Sequence, residues 1–402
     1  MNKKQTIGIN IILLGFVSLI TDASSEIITP LMPFFIERVL GITIGVSLII
    51  GFIGNLGESL SSIFKAIAGY WSDKIRRKKP FVAAGYSLSA TSKLFFPLAS
   101  TWEEVSIIKV FERGGKGIRD APRDAIIAES SEKKKGRGFG IHRAFDSLGA
   151  IIGSMLAFLF ILVLYPKSGE AGISELIRFI FLFAAILAFF ALIPLLWVKD
   201  EKKQTTSGYK LGLRNLPRHY YYIIIITGLF ALGNFTILLF LYHVCLRYSG
   251  ILHYMVPILF YVLFNIIYTS FSIPGGNLAD KYGKGKILTV GYGLFSLACT
   301  TFIFSESELL FILGFGLLGL SFALIDTVQR AYISDGVPPE IRGTALGTFH
   351  MIIGLATLPA GIIAGFLHGI DPTYAFIYGA IIALASMLLL MVYSKIHKTS
   401  GT

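Results

Sequence analysis

Long apolar runs recur along the whole chain, each about as long as a bilayer is thick. They cover roughly positions 7–36, 43–70, 80–100, 103–128, 138–165, 176–198, 218–246, 253–278, 287–305, 308–333, 342–368 and 372–394. A spanning helix needs about 20 such residues, and longer runs tilt, kink or extend past the lipid. Lipid offers no water to backbone N–H and C=O groups, which leaves only helices or closed barrels. Barrel strands alternate apolar and polar residues over about 10 positions, whereas these runs are continuous. The pattern therefore predicts an all-α membrane protein with twelve transmembrane helices. Twelve spans use about 240 residues and leave little of the 402 for a soluble domain. The run from Ile7 is longer than a signal-peptide core and reads as the first span.

The net charge of +12 fits this picture once the basic residues are located. Placing the N-terminus in the cytoplasm puts 23 of the 36 Lys and Arg on inside segments and only Arg38, Lys167, Arg178 and Arg247 outside. Such asymmetry orients a membrane protein with its basic loops inside. The expected location is the cytoplasmic (inner) membrane, multi-pass, with both termini cytoplasmic. Basic residues scattered over short loops are a poor footprint for nucleic acid, so no nucleic-acid partner is expected.

Enzyme and pump readings lack their motifs. There is no His-Glu-x-x-His and no nucleophile motif, and Gly114-Gly115-Lys116-Gly117 lacks the spacing and the Ser/Thr of a phosphate loop. Cys245 and Cys299 lie inside apolar runs, outside any local metal-ligand spacing. No cofactor and no metal are expected.

The chain is internally duplicated. Gly69-Tyr-Trp-Ser-Asp73-Lys74 follows the second span and Gly276-Asn-Leu-Ala-Asp280-Lys281 follows the eighth, 207 positions later. Arg123 and Arg330 keep that offset, while Arg137-Gly138 and Arg342-Gly343, like Gly149 and Gly354, are 205 apart. Six spans per copy is an even number, so both copies share one orientation. The expected organisation is an N-terminal six-helix bundle (1–198), a cytoplasmic linker (199–217) and a C-terminal six-helix bundle (218–402). A pseudo-two-fold along the membrane normal relates the bundles, with a cavity near the midplane.

These loops resemble the signature loops of the major facilitator superfamily: Gly69-x-x-x-Asp73-Lys74-x-x-Arg77-Lys78 in the first copy and Gly276-x-Leu-Ala-Asp280-Lys281-x-Gly283-Lys284 in the second. Arg113-x-x-x-Gly117 resembles the arginine motif of the family's fourth span, and Pro30-Leu-Met-Pro33 resembles a motif of its drug-efflux branches. Gly149-x-x-x-Gly153 resembles its antiport motif in part, with Ala150 where that motif has proline. The resemblance implies a secondary transporter working by alternating access, with a small-molecule substrate and protons as partners in the lipid bilayer, as a monomer. It also implies that Asp73, Lys74, Arg77, Asp280 and Lys281 brace the outward-facing state through ion pairs.

Charges inside the spans mark where the chemistry belongs, because ionisable groups at the bilayer centre cost about 2.5–3.5 kcal/mol each unless paired or hydrated. Asp22 and Glu26 are four apart and share one helical face. Two carboxylates so close in a low dielectric repel, and one should keep its proton near neutrality. Together with Asp146, four residues after His142, they are the expected proton-coupling groups. Arg113 and Lys116 are the expected anion contacts, with Asn234 and Asp326 as further substrate ligands. Arg119, Asp120, Arg123 and Arg330 lie toward the cytoplasmic ends and join the loop residues as gating groups. Proton-coupled efflux is the leading reading, favoured by Pro30 and Pro33. Uptake of an organic anion, favoured by the basic fourth span and Ala150, is the alternative. A non-transporting sensor on a transporter fold is the reading of another class.

Overall fold

A chain that must satisfy its own backbone in lipid forms helices, and among the described residues no strand occurs. The computed structural model describes residues 3–75, 77–130, 135–199, 218–304, 307–335, 337 and 342–399. The long helices are α1 (Lys3–Ile28), α2 (Val46–Ile75), α3 (Lys79–Lys93), α4 (Trp102–Ser130), α5 (Lys135–Ser168) and α6 (Ile173–Phe190). They continue as α7 (Arg218–Gly233), α8 (Ile237–Cys245), α9 (Ile251–Tyr282), α10 (Lys284–Ile303), α11 (Glu308–Asp335), α12 (Arg342–Ile370) and α13 (Pro372–Thr399). Among the described residues, ten segments are long and apolar enough to cross a membrane. Two expected spans miss that standard: α3 has only 15 residues, and α4 carries too many charges. Of the expected linker, residues 200–217 lie outside the described residues.

Local chemistry explains the irregular places. Past Ile28 the first span tightens into a 3-10 turn at Thr29–Leu31 and widens into a π turn at Phe35–Val39. Pro30 and Pro33 cannot donate backbone hydrogen bonds, so the regular ladder fails there and the winding changes. The polar helix α4 starts on a reciprocal cap: the Glu104 amide donates to Thr101 Oγ1, while the Thr101 and Ser100 amides donate to Glu104 Oε2. Between α12 and α13, Asp371 Oδ1 accepts the Thr373 amide at 2.8 Å, which holds the Asp371 carboxyl below its ordinary range. One expected span is broken. The run 218–246 divides into α7 and α8 around Asn234-Phe235-Thr236.

The chain forms two compact units, and each takes one segment from the opposite half of the sequence. The first comprises residues 1–44, 56–208 and 245–259; the second comprises 45–55, 209–244 and 260–402. In the first, α1 packs along α5, and α3 along α4. Gly149 and Gly153 make the α1–α5 contact possible, since a Cβ there would meet the Leu19 carbonyl oxygen at 2.5 Å and the Ala23 carbonyl oxygen at 2.3 Å. In the second, α10 packs against α11 and α13. The first turns of α2 also belong to the second unit. Their Ser47, Gly51 and Asn55 recur every four residues and form one stripe on α12. Ser47 bonds His368 Nδ1 at 2.9 Å, Gly51 lies against Gly361, and Asn55 Nδ2 donates to the Thr357 carbonyl at 2.9 Å.

The duplication seen in the sequence recurs in the packing. Gly85 lies against Arg119 between α3 and α4, and Gly291 lies against Ile325 between α10 and α11; both members of the second pair stand 206 positions after the first. The ion pair Lys78–Glu129 is repeated as Lys284–Asp335 at the same displacement. Tyr220 stands at a span start, where tyrosines commonly anchor at the membrane surface, yet it is core: it is 1% exposed among Ile223, Ile333, Ala345 and Phe349. Only Tyr221 and Tyr222 are exposed.

The close α1–α5 approach yields a stability test. Gly153→Leu should lower the unfolding midpoint in detergent, at a cost of about 1–3 kcal/mol from overpacking. Gly8→Leu, where nothing lies within 4 Å, should leave the midpoint unchanged in the same thermal scan.

Candidate functional site

The first unit encloses a connected set of ionisable side chains on α1 to α5. Its centre is α4, whose i, i+3 and i+4 spacings put Lys109, Glu112, Arg113, Lys116, Asp120 and Arg123 over successive turns. Glu112 is 3% exposed and forms ion pairs with two cations, Lys109 Nζ at 3.1 Å and Arg113 Nε at 3.3 Å. Arg113 also reaches across to Glu58 of α2, with Nη1 to Oε1 at 2.9 Å. One turn on, Asp120 sits between Lys65 of α2 and Arg123, both at 3.4 Å. Arg123 closes on Asp124 at 3.0 Å. In the low dielectric of a bundle interior such a chain holds only because each charge faces its opposite.

Glycines let the helices come this close. A Cβ on Gly57 would meet the Arg113 side chain at 2.9 Å, and one on Gly117 would meet the Ser61 carbonyl oxygen at 2.6 Å. Gly115 lies against the Gly85 carbonyl of α3 in the same way. Pro122 sits inside α4 without ending it.

Asp22 of α1 is placed differently. The cation it pairs with, Arg119, is 4.0 Å away. The Arg119 guanidinium is 2% exposed and stacks on the Tyr86 ring, 4.1 Å from its centroid. Its Nε and Nη1 are buried with no hydrogen-bond partner among the described residues. Asp146 of α5 meets His142 Nδ1 at 3.4 Å, and its charge, like those of Lys116, Arg119 and Arg123, acts on Asp22. Glu26 is half-buried one turn beyond Asp22. Lys93 of α3 is fully buried beside them. Its Nζ donates to Ser25 Oγ at 2.8 Å, Ser24 Oγ at 3.0 Å and the Thr21 carbonyl at 3.3 Å. A cation is thus fixed to the α1 turn that carries both carboxylates.

The structure gathers Asp22, Asp146, Arg113, Lys116, Arg119, Asp120 and Arg123 in this unit and puts Asn234 and Asp326 in the other. Asp326 accepts the Tyr268 hydroxyl at 2.9 Å. Asn234 lies at the α7–α8 break, its carbonyl accepting Asn55 Nδ2 at 3.5 Å while Asn55 Oδ1 accepts the Thr236 amide at 2.7 Å. The Asn234 Oδ1 is buried with no hydrogen-bond partner among the described residues. Of the gating residues, Arg77, Asp280, Lys281 and Arg330 are exposed, with Lys281 over the Tyr282 ring; the side chains of Asp73 and Lys74 lie outside the described residues.

Several site residues escaped the sequence reading. Glu129 and Asp335 pair with Lys78 and Lys284, and neither acid belongs to the loop motifs that contain the two lysines. Their common 206-residue displacement was the available signal. Asn55 escaped because a lone asparagine in a span has no partner visible in sequence. Glu37, Cys245 and His253, distant in the chain, bring three potential metal-binding atoms within 4.8 Å of one another.

Breaking a buried pair leaves its partner uncompensated. Glu112→Gln should therefore destabilise the protein by about 3–5 kcal/mol, and Glu112→Gln/Lys109→Met should recover part of that loss. Denaturation of the purified variants in detergent measures both.

With this geometry in place, comparison with known proteins is direct. The family model described as Major Facilitator Superfamily matches residues 14–264 and 258–401. An uncharacterized transporter of this type from Methanocaldococcus jannaschii is 41% identical over 387 residues, covering 95% of this chain and 94% of that protein. Among solved structures, a variant of the nucleoside transporter NupG superposes with a TM-score of 0.76 at 16% identity, over 96% of this chain and 99% of that one. A D-xylose–proton symporter gives a TM-score of 0.76 at 14% identity, over 96% and 97% of the two chains.

Proposed function

Because the chain belongs to the Major Facilitator Superfamily, whose members are membrane transporters and not enzymes, we propose that it is a proton-coupled secondary transporter that exports a small solute by alternating access. It works as a monomer in the cytoplasmic membrane, with both termini inside, and is built from two six-span repeats, 1–198 and 218–402. The repeated ion pairs Lys78–Glu129 and Lys284–Asp335 support the repeat, and the basic loops support the orientation.

The observation that carries proton coupling is the loose pairing of Asp22. Glu58, Glu112, Asp120 and Asp146 each have a cation or histidine at 2.9–3.4 Å, whereas Asp22 has Arg119 at 4.0 Å. A proton arrives at and leaves Asp22 without breaking a close ion pair. When Asp22 is protonated, Arg119 loses a counter-charge, and its unpartnered N–H groups need another acceptor. That exchange links the proton to whatever else binds beside α1 and α4. Glu26 and Asp146 take the proton to and from this position, and Lys116, half-buried on the same helix, adds positive potential.

The same Arg119 favours a second reading. A guanidinium with two buried, unpartnered nitrogens suits a carboxylate or phosphate, so proton-coupled uptake of an organic anion is the alternative. Asn234 and Asp326 are further candidate substrate ligands in either reading. The discontinuous α7–α8 span supports Asn234 in this role, since broken helices supply free backbone groups at transporter binding sites. Asp73, Lys74, Arg77, Asp280, Lys281, Asp120, Arg123 and Arg330 act as cytoplasmic gating groups.

The test is a solute panel in proteoliposomes under an imposed pH gradient, inside acid or inside alkaline. Wild type should move its solute in response to the gradient. Asp22→Asn should exchange solute down its own gradient but lose the response to pH by at least about tenfold, the scale of one lost coupling interaction. A full response in Asp22→Asn and in Glu26→Gln defeats the coupling assignment. Accumulation of anions alone selects the uptake reading.

A further inference from the structure

The first unit holds a second cluster, at the opposite end of α1 from the basic cytoplasmic loops. The π turn Phe35–Val39 carries Glu37, α8 ends at Cys245, and α9 begins just before His253. The carboxylate, the thiol and the imidazole come within 4.8 Å of one another. Cys245 is fully buried and His253 is 6% exposed, while the Glu37 side chain keeps 21% of its surface. Nothing in the coupling scheme above uses these groups.

The imidazole is set up as a ligand. His253 Nδ1 lies 3.2 Å from the Tyr248 carbonyl oxygen, so Nδ1–H donates there and leaves the Nε2 lone pair pointing into the cluster. A backbone carbonyl behind the far nitrogen is how metal-binding histidines are held in one tautomer. The ring is also pinned by Phe34 and Tyr254, with centroids 5.4 and 4.9 Å away.

Nε2 faces Glu37 Oε2 at 3.6 Å, and neither atom has a hydrogen-bond partner among the described residues. A charge-assisted hydrogen bond would bring them to about 2.7–2.9 Å. Two ligand atoms each about 2.1 Å from a tetrahedral metal stand about 3.4 Å apart. The observed separation fits two ligands of one ion. Arg38 takes the other carboxylate oxygen, Oε1, at 3.5 Å and also pairs with Glu170 at 3.6 Å, which leaves Oε2 for the cluster.

We propose that Glu37, Cys245 and His253 form a site for a zinc-class transition-metal ion. One thiolate, one imidazole and one carboxylate are a borderline-soft set that suits Zn(II) over Mg(II) or Ca(II). Three protein ligands leave a fourth position for water. Binding releases the Cys245 thiol proton to solvent and replaces it with the metal–sulfur bond. The ion ties the end of the first span to residues more than 200 positions later, closing a long loop of chain. It should therefore stabilise the fold and, on the reading of alternating access, slow any step that parts Glu37 from Cys245 and His253.

The experiment uses full-length protein in detergent, stripped with a chelator and titrated with ZnCl2 or CoCl2. Wild type should bind one ion per chain, unfold at a higher temperature with Zn(II) than without, and give a cobalt–thiolate charge-transfer band. Cys245→Ser should lose that band, and His253→Gln should lose at least about tenfold in affinity. Cys299→Ser, which alters the other cysteine, should keep both. The wild-type cobalt spectrum decides the matter even where a variant folds poorly. Absence of the thiolate band in wild type overturns the proposal, as does equal loss of it in Cys299→Ser. These readouts need no transport, so they stand or fall separately from the coupling assignment.

Discussion

A charge inside a bilayer must find its opposite within the protein, and the rest of this molecule is arranged around that requirement. The fourth helix carries Lys109, Glu112, Arg113, Lys116, Arg119, Asp120, Arg123 and Asp124 in sixteen residues. No such helix is stable facing lipid. It is stable here because α1, α2, α3 and α5 present Asp22, Glu58, Lys65, Lys93 and Asp146, and because glycines at 57, 85, 115 and 117 remove the side chains that would hold those helices apart. The reciprocal Thr101–Glu104 cap secures its start, where apolar packing is weakest. Charge, small residues and capping are therefore one device: together they hold a hydrophilic helix inside a bundle of apolar ones.

On the proposed reading, that device also decides where the chemistry sits. Most of the buried ions neutralise one another at short range and so brace the bundle. Asp22 and Arg119 stand farther apart, with unsatisfied guanidinium N–H groups beside them. A site that must exchange protons or anions needs groups whose partnerships are incomplete, since complete ones cost too much to break. The second unit has few charges inside its spans and uses other means, a helix interrupted at Asn234 and a tyrosine–aspartate hydrogen bond at Asp326.

Much of this was legible in the sequence. Continuous apolar runs specify spanning helices by their length alone, and the duplicated loops at Asp73 and Asp280 point to two repeats. The intramembrane charges stand out because they are costly in lipid. What was hidden depends on tertiary contact. Nothing local announces the α7–α8 break; it exists because Asn55, some 180 residues earlier, supplies hydrogen bonds that replace the helical ones at Asn234 and Thr236. Arg119 reads as a cytoplasmic gate by its position, yet its stacking on Tyr86 turns it toward Asp22. Tyr220 looks like a membrane-surface tyrosine until the ends of α11 and α12 are seen to cover it. Glu37 and His253 are ordinary polar residues at span ends until the proline-loosened end of α1 brings them together.

The central claim is that Asp22 changes its protonation state beside Arg119. Infrared difference spectroscopy of the protein in lipid, stepped across neutral pH, reads this directly through the carbonyl stretch of a protonated buried carboxyl. The account predicts such a band in wild type, displaced by Arg119→Lys and abolished by Asp22→Asn. A wild-type spectrum without a titrating carboxyl band, or one that Asp22→Asn leaves intact, would contradict it.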